Sequence, residues 1–194
     1  MTEAGLRERK QERQRAELVR IGMRLFSEQG FDATTVDEIA EAAEVSRRTL
    51  FRYFGTKADI VMEWARGTTA VLTASLRDRP LDEHPMDSLN AVFVAMCESF
   101  IERPRTMHRV SVMIERTPSL RPYSLLKHAQ WEDALAAVLR ERTPEIGELR
   151  SGLLARIAVA AFRTALDEWM STEGDTVPTA YVDRAFGAVR DGLV

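Results

Sequence analysis

Between Val45 and Lys57 the chain carries four positive residues and no acid. Arg47, Arg48 and Arg52 bring guanidinium forks that can meet guanine O6 and N7 in pairs. Ser46, Thr49 and Tyr53 bring hydroxyls that can bond phosphate, and Thr49 a methyl that can touch thymine. This is the chemistry of nucleic-acid recognition, provided that one rigid element presents the side chains together. On its own, a basic cluster is as readily a solvated helix face. Other chemistries find no support. His84, His108 and His128 are far apart, and no metal-ligand spacing, Gly-rich phosphate loop or Ser-His-Asp arrangement is present. Cys97 is the sole cysteine, which excludes an intrachain disulfide and a cysteine-based zinc site. No catalytic residue, metal or cofactor is therefore expected, and the chain does not read as an enzyme.

The elements that must position the basic residues are legible around them. In TVDEIAEAAEVSRRTLFRYF, residues 35–54, Thr35 and Glu38 form a capping box, and Val36, Ile39, Ala40 and Ala43 form the buried stripe of a short helix. A turn near Ala43–Val45 follows, and Ser46 is the N-cap of a second helix reaching Phe54. Leu50 and Phe54, at i and i+4, point inward, which leaves Arg47, Arg48, Thr49, Arg52 and Tyr53 on opposite or lateral faces. A helix-turn-helix of this kind lays its second helix in the major groove of DNA. Gly55 closes that helix, and Thr56 with Asp59 opens a fourth that runs to about Leu76. Lys57 at its start, and Thr34 and Thr35 before helix two, place further donors at helix N-termini, where a phosphate is welcome. Upstream, Leu18, Ile21, Leu25 and Phe26 mark one face of a helix over about Arg9–Gln29, preceded by a frayed basic arm.

The remainder also reads as helix, with breakers at Pro104, Pro118, Pro144 and Gly174–Pro178, and no window alternates like a strand. Further helices are expected at about 86–102, 105–115, 120–142, 149–171 and 179–193, with Pro122 delaying or kinking the third of these. The fold class is all-α with about nine helices, divided into a helix-turn-helix DNA-binding domain over 9–55 and a larger helical domain over 56–194. The whole chain of 194 residues has 27 Lys and Arg against 30 Asp and Glu, net −3, an ordinary globular composition. Residues 1–57 hold 11 against 10, so the acidic excess lies in the second part. The charged N-terminus has no signal-peptide core and no run of apolar residues is long enough to span a membrane, so a cytoplasmic protein without a membrane partner is expected.

The stretch LFSEQGFDATTVDEIAEAAEVSRRTLFRYFGTKADIV resembles the N-terminal DNA-binding domain of the tetracycline-repressor (TetR) family of bacterial one-component regulators. The resemblance implies an all-helical homodimer on a pseudo-palindromic operator in double-stranded DNA. It also implies a ligand-binding and dimerisation domain, and an effector that changes the spacing of the two recognition helices. By position it implies phosphate contacts from Thr35, phosphate or base contacts from Thr49 and Lys57, and recognition-helix roles for Arg47, Arg48, Arg52 and Tyr53. Two positions depart from the family pattern. Phe51 stands where a phosphate-binding tyrosine is common, and Glu44 where the turn often has glycine, at a cost of about 1 kcal/mol if that residue is left-handed. SLRPYSLLKHAQWEDALAAVLRERTPE and ARIAVAAFRTALDEWM are similar to a TetR subgroup whose regulatory domain takes acyl-CoA-like ligands.

In the second domain Phe93, Met96, Phe100, Met107, Val110, Met113, Trp131, Phe162 and Trp169 are large or soft side chains that can line an apolar effector cavity. Arg163 interrupts an apolar helix face, and it would meet a ligand carboxylate or phosphate, an acid such as Asp167 at i+4, or an acid across the dimer. Ala155, Ala158, Ala160, Ala161 and Ala165 make helix eight narrow enough for close packing, and with helix nine it would form a four-helix dimer interface. The leading reading is a ligand-responsive repressor. The alternative is an architectural or protein-interaction module on the same DNA-binding domain with no effector.

Overall fold

Each short helix near the N-terminus is started by its own side chain. Thr35 and Glu38 close a reciprocal capping box at helix α2 (Val36–Ala42), Ser46 Oγ accepts from the Thr49 amide at α3 (Arg47–Tyr53), and Thr56 and Asp59 repeat the box at α4 (Lys57–Arg77). These caps satisfy amides that a two-turn helix cannot satisfy internally. The computed structural model describes residues 3–192. Among them the remaining α-helices are α1 (Glu3–Gln29), α5 (Pro85–Glu98), α6 (Pro104–Arg116), α7 (Arg121–Arg142), α8 (Gly147–Trp169) and α9 (Thr179–Arg190), with 3-10 turns at Pro118–Leu120 and Pro144–Ile146 and no strand.

Helix α5 ends at Glu98, four residues before the expected 102, and α8 is shifted two residues towards the N-terminus, while two expectations at helix starts are corrected outright. Helix α1 starts at Glu3, so the described part of the basic arm is helical. Residues 7–13 are exposed there, and the Arg, Glu, Lys and Gln of that stretch favour helix intrinsically. Pro122 neither delays nor kinks α7. It lies in the first turn, where its missing N–H costs nothing, and a 3-10 turn hands the chain over to it. Of the expected ends, Leu193, and Met1 and Thr2 of the arm, lie outside the described residues.

The buried residues form two cores. The first gathers Leu18, Ile21 and Phe26 of α1, Ile39 of α2, Leu50 of α3 and Ile60 of α4, together with Val110, Met113 and Ile114 of α6. The second gathers Leu72, Phe93, Trp131, Leu135, Phe162, Trp169 and Phe186 from α4, α5, α7, α8 and α9, and it takes Met107 from α6. Helix α6 thus belongs to both cores. Gly22 lets α1 lie close on α4, since a Cβ there would come within 2.9 Å of Ile60 Cγ2. Arg15 of α1 also donates to Glu63 of α4 at 2.7 Å.

Four of the five alanines singled out on α8 have a different role from the one expected, and only Ala160 of the five is exposed. Ala155, Ala158, Ala161 and Ala165 are buried in the chain's own second core, where they let α8 pack on α7 and α9. The face of α8 left on the surface carries Leu149, Leu153 and Ile157, one turn apart and all exposed.

In the turn between α2 and α3, Glu44 has φ +52°, the only positive φ outside glycine among the described residues. The left-handed conformation costs a side-chain-bearing residue about 1–2 kcal/mol, and glycine gives back part of that gain through its freer unfolded chain. Glu44 is exposed and has no ion-pair partner among the described residues. Glu44→Gly is expected to raise stability by about 0.5–1 kcal/mol in urea unfolding, and an unchanged or lower midpoint would refute this account of the turn.

Candidate nucleic-acid interface and effector cavity

Burial alone aims the recognition face of α3. Leu50 is 2% exposed and Phe54 3%, both locked into the first core, while Arg47, Arg48, Phe51 and Arg52 are exposed. Spaced i, i+1, i+4 and i+5, these four share one side of the helix. Arg47 contacts Asp37 of α2 at 3.3 Å and lies over the Phe51 ring at 5.4 Å. Arg52 lies over the Tyr53 ring at 5.3 Å, and the Tyr53 hydroxyl donates to Gln14 Oε1 of α1 at 3.2 Å. Arg48 has no polar partner among the described residues, so it is the guanidinium that can turn to a base without breaking a contact. Ser46 and Thr49 share a hydroxyl hydrogen bond at 2.9 Å beside the α3 N-terminus. The Thr35 hydroxyl donates to Glu38 at 2.8 Å at the start of α2.

Two residues expected at the DNA surface sit elsewhere. Thr34 is fully buried and donates to the Gly30 carbonyl at 2.8 Å, so its hydroxyl serves the loop between α1 and α2. Lys57 Nζ donates to the carbonyls of Phe31 and Thr34, each at 2.7 Å, and of Asp32 at 3.4 Å, and it lies 4.7 Å from the Phe31 ring centre. Its three N–H groups are committed to that loop. Lys57 therefore positions Thr35 and α2 rather than offering a free ammonium.

A groove of about 460 Å³ runs between α1, α4 and α6, with Val19, Met23, Trp64, Phe100, Met107 and Val110 on its floor and arginines, Arg103 and Arg109 among them, at its rim. Trp64, Phe100 and Met107 also line a smaller enclosed cavity of about 30 Å³ deeper in the bundle. Met96, Trp131 and Phe162 line that inner cavity, as do Glu115 and Lys127. The two spaces therefore share Trp64, Phe100 and Met107 as a wall, and Met96, Phe100, Met107, Trp131 and Phe162 of the expected lining meet at the inner cavity.

The other expected lining residues are placed differently. Phe93 stacks on Phe162 at 4.5 Å within the second core. Met113 packs in the first core against α1, and Val110 lines the open groove only. Trp169 donates its indole N–H to the Thr176 carbonyl at 2.9 Å and meets His108 edge-on at 4.9 Å. Arg163 is exposed on α8, whose apolar face runs through Phe162, Ala165 and Leu166, and it forms no ion pair with the equally exposed Asp167.

The sequence reading missed the polar cluster at the inner cavity. Lys127 Nζ donates to Glu115 at 2.7 Å, Ser124 Oγ donates to the same carboxylate, and His128 Nε2 lies 3.6 Å from it. The signal was in the helical phase. Counting back from Leu135 and Trp131 by 3.6 residues places His128, Lys127 and Ser124 on the buried face and leaves Leu125 and Leu126 outside, as observed. Burial lowers Lys127, with Glu115 opposing; burial resists the ionisation of Glu115, but Lys127 and the Ser124 hydroxyl together outweigh it and the carboxyl is held down. For His128, burial and then the Lys127 charge push the imidazole down to about 3.

That direction has a consequence for stability. A histidine whose folded pKa lies below its unfolded value of about 6.5 leaves the unfolded chain holding more protons at mildly acid pH, so stability falls as pH drops from 6.5 toward 3. At about 1.4 kcal/mol per pH unit, the loss between pH 6.5 and 5 approaches about 2 kcal/mol. Urea unfolding at the two pH values is expected to show it, and His128→Leu to lose that part of the pH dependence. Equal slopes in the two proteins would count against a neutral, buried His128.

Comparison with known proteins bears on both regions. The profile of the bacterial regulatory proteins of the tetR family matches residues 18–63, and the MftR C-terminal domain profile matches residues 83–194. The HTH-type transcriptional regulator TcmR of Streptomyces glaucescens is 31% identical over 173 residues, covering 85% of this chain and 76% of TcmR. The putative mycofactocin biosynthesis transcriptional regulator MftR of Mycobacterium tuberculosis is 29% identical over 177 residues, covering 89% and 87%. Among solved structures, Thermus thermophilus FadR with lauroyl-CoA superposes with TM-score 0.63 at 22% identity, covering 93% of this chain and 95% of that one. FadR of Bacillus subtilis with stearoyl-CoA superposes with TM-score 0.68 at 16% identity, covering 91% and 98%, and at such identities the likeness is one of fold. With a family profile over more than half its length and a capped helix-turn-helix carrying a basic outer face, the chain belongs to the tetR family of bacterial transcriptional regulators.

Proposed function

We propose that the protein is a homodimeric repressor in the cytoplasm that leaves its operator when a small apolar or acyl-CoA-like effector enters the second domain. Arg48 reads a base in the major groove, Arg47 and Arg52 follow once they leave their resting partners, and Ser46, Thr49, Tyr53 and Thr35 meet phosphates. The second copy packs on the exposed row Leu149, Leu153 and Ile157 of α8, setting two recognition helices about 34–36 Å apart. The chain has no catalytic role in this reading. The DNA-binding unit spans 9–55, with α4 as the bridge to the effector domain, 56–194.

The observation that carries the reading is the double membership of α6. Met107 faces the effector cavity while Val110, Met113 and Ile114 pack on α1, so a ligand that shifts α6 also shifts the helices that hold α3. The two states of such a switch differ only by what the ligand binds better. The test is DNA binding to the segment flanking the protein's own gene, with and without lauroyl-CoA as the first probe. One dimer on one pseudo-palindrome, with affinity falling on addition of ligand, is the expected result. Equal affinity for random and operator DNA, a steep salt dependence and no effect of any ligand would instead support the architectural module.

A further inference from the structure

The cluster at the inner cavity leaves buried polar groups without partners. Lys127 and Glu115 form a buried pair, with side chains 7% and 17% exposed. Facing them, both ring nitrogens of His128 and the indole nitrogen of Trp131 are buried with no hydrogen-bond partner among the described residues. Trp131 lines the cavity, and His128 stands edge-on to it at 5.5 Å. Buried N–H groups without an acceptor are costly, and the indole N–H of Trp131 and the single N–H of the neutral His128 ring are both relieved by a ligand group that accepts hydrogen bonds, an anionic one also answering to the Lys127 charge.

The two members of the ion pair are not equivalent. Glu115 stands in the last turn of α6, at the more exposed end of the contact, and can swing toward solvent. Lys127 is held on the inner face of α7 over the Trp131 ring at 5.1 Å. The Glu115 bonds to Lys127 and Ser124 tie α6 to α7. A buried pair of this sort contributes little net stability against an apolar replacement, and its attested use is to specify one arrangement over another.

We propose that Lys127 anchors the carboxylate of an apolar acid and that Glu115 is its built-in stand-in, so that the effector frees α6 by taking the place of Glu115. The inference rests on the effector-released repressor reading and narrows its effector to an apolar molecule ending in a free carboxylate. The body of that ligand lies along Trp64, Phe100 and Met107, the wall that the groove and the inner cavity share.

Decanoate and its neutral methyl ester are the probes, titrated into the full-length protein without DNA and followed by the fluorescence of Trp64 and Trp131. The acid is expected to bind at least tenfold more tightly than the ester. Lys127→Met leaves Glu115 buried and unpaired, so the folding-safe variant is the neutral double substitution Lys127→Met with Glu115→Gln. That variant is expected to bind acid and ester alike. Glu115→Gln alone, which weakens the stand-in, is expected to tighten decanoate several-fold. No binding of decanoate, equal binding of acid and ester by the wild type, or an acid preference that survives in the double variant would each overturn the proposal. Release of operator by lauroyl-CoA but not by decanoate would overturn it and leave the repressor reading intact. Lys127-dependent binding of decanoate with no ligand effect on any DNA complex would instead remove the repressor reading.

Discussion

Arg48→Ala is expected to weaken operator binding by roughly 2–6 kcal/mol per dimer, because a bidentate arginine–guanine pair discriminates by about 1–3 kcal/mol and the dimer presents two copies. Arg48 is singled out by what surrounds it. Arg47 is engaged by Asp37 and the Phe51 ring, and Arg52 by the Tyr53 ring, so each gives up a contact on reaching DNA and its truncation should cost less. The loss should depend on the operator base opposite the side chain, and thermal stability should stay within about 0.5 kcal/mol of wild type, as for a surface change without partners. Fluorescence anisotropy with wild-type and base-substituted operators separates the outcomes. Wild-type affinity in the variant would remove Arg48 from the readout, whereas an equal loss on every sequence would make it a phosphate contact.

Leu50→Ala, two residues further along the same helix, should act through the opposite route. Leu50 is 2% exposed in a core shared by α1, α2, α3 and α6, and truncating a buried leucine costs about 2–5 kcal/mol from lost burial and the cavity left behind. For a two-turn helix held by one cap and two apolar anchors, that is a large share of what keeps it docked. Urea unfolding should show the midpoint falling, and operator affinity should fall only as far as folded protein is lost, recovering in a stabilising osmolyte. A variant as stable as wild type would mean that Leu50 does not anchor α3.

The contrast between these neighbours shows why the DNA-binding part was readable before any fold was known. Its instructions are local: caps at Thr35, Ser46 and Thr56, anchors four residues apart at Leu50 and Phe54, and an acid-free outer face, all within some twenty residues. Even the strained turn at Glu44 was visible as a departure from glycine, and its φ of +52° bears that out. Lys57 was misread because its partners are backbone carbonyls of a loop more than twenty positions away, and Thr34 because its hydroxyl turns back to the Gly30 carbonyl four residues earlier instead of outward. No residue type announces such a contact.

The second domain was legible as helices and breakers, but the arrangement of its cavities was not, for a reason of the same kind. Apolar periodicity says that a side chain is buried without saying against what, so Phe93, Met113 and Trp169 looked like cavity lining and proved to be core. The α8 alanines other than Ala160 likewise pack within their own chain, and the exposed row beside them is the surface left over. Helix order, caps and the outward basic face are consequences of neighbours along the chain, which the residues specify directly. The pairing of Glu115 with Lys127, the bond of Lys57 to its loop and the place of α6 in two cores depend on how whole helices settle against one another, and only packing in three dimensions brings those groups together.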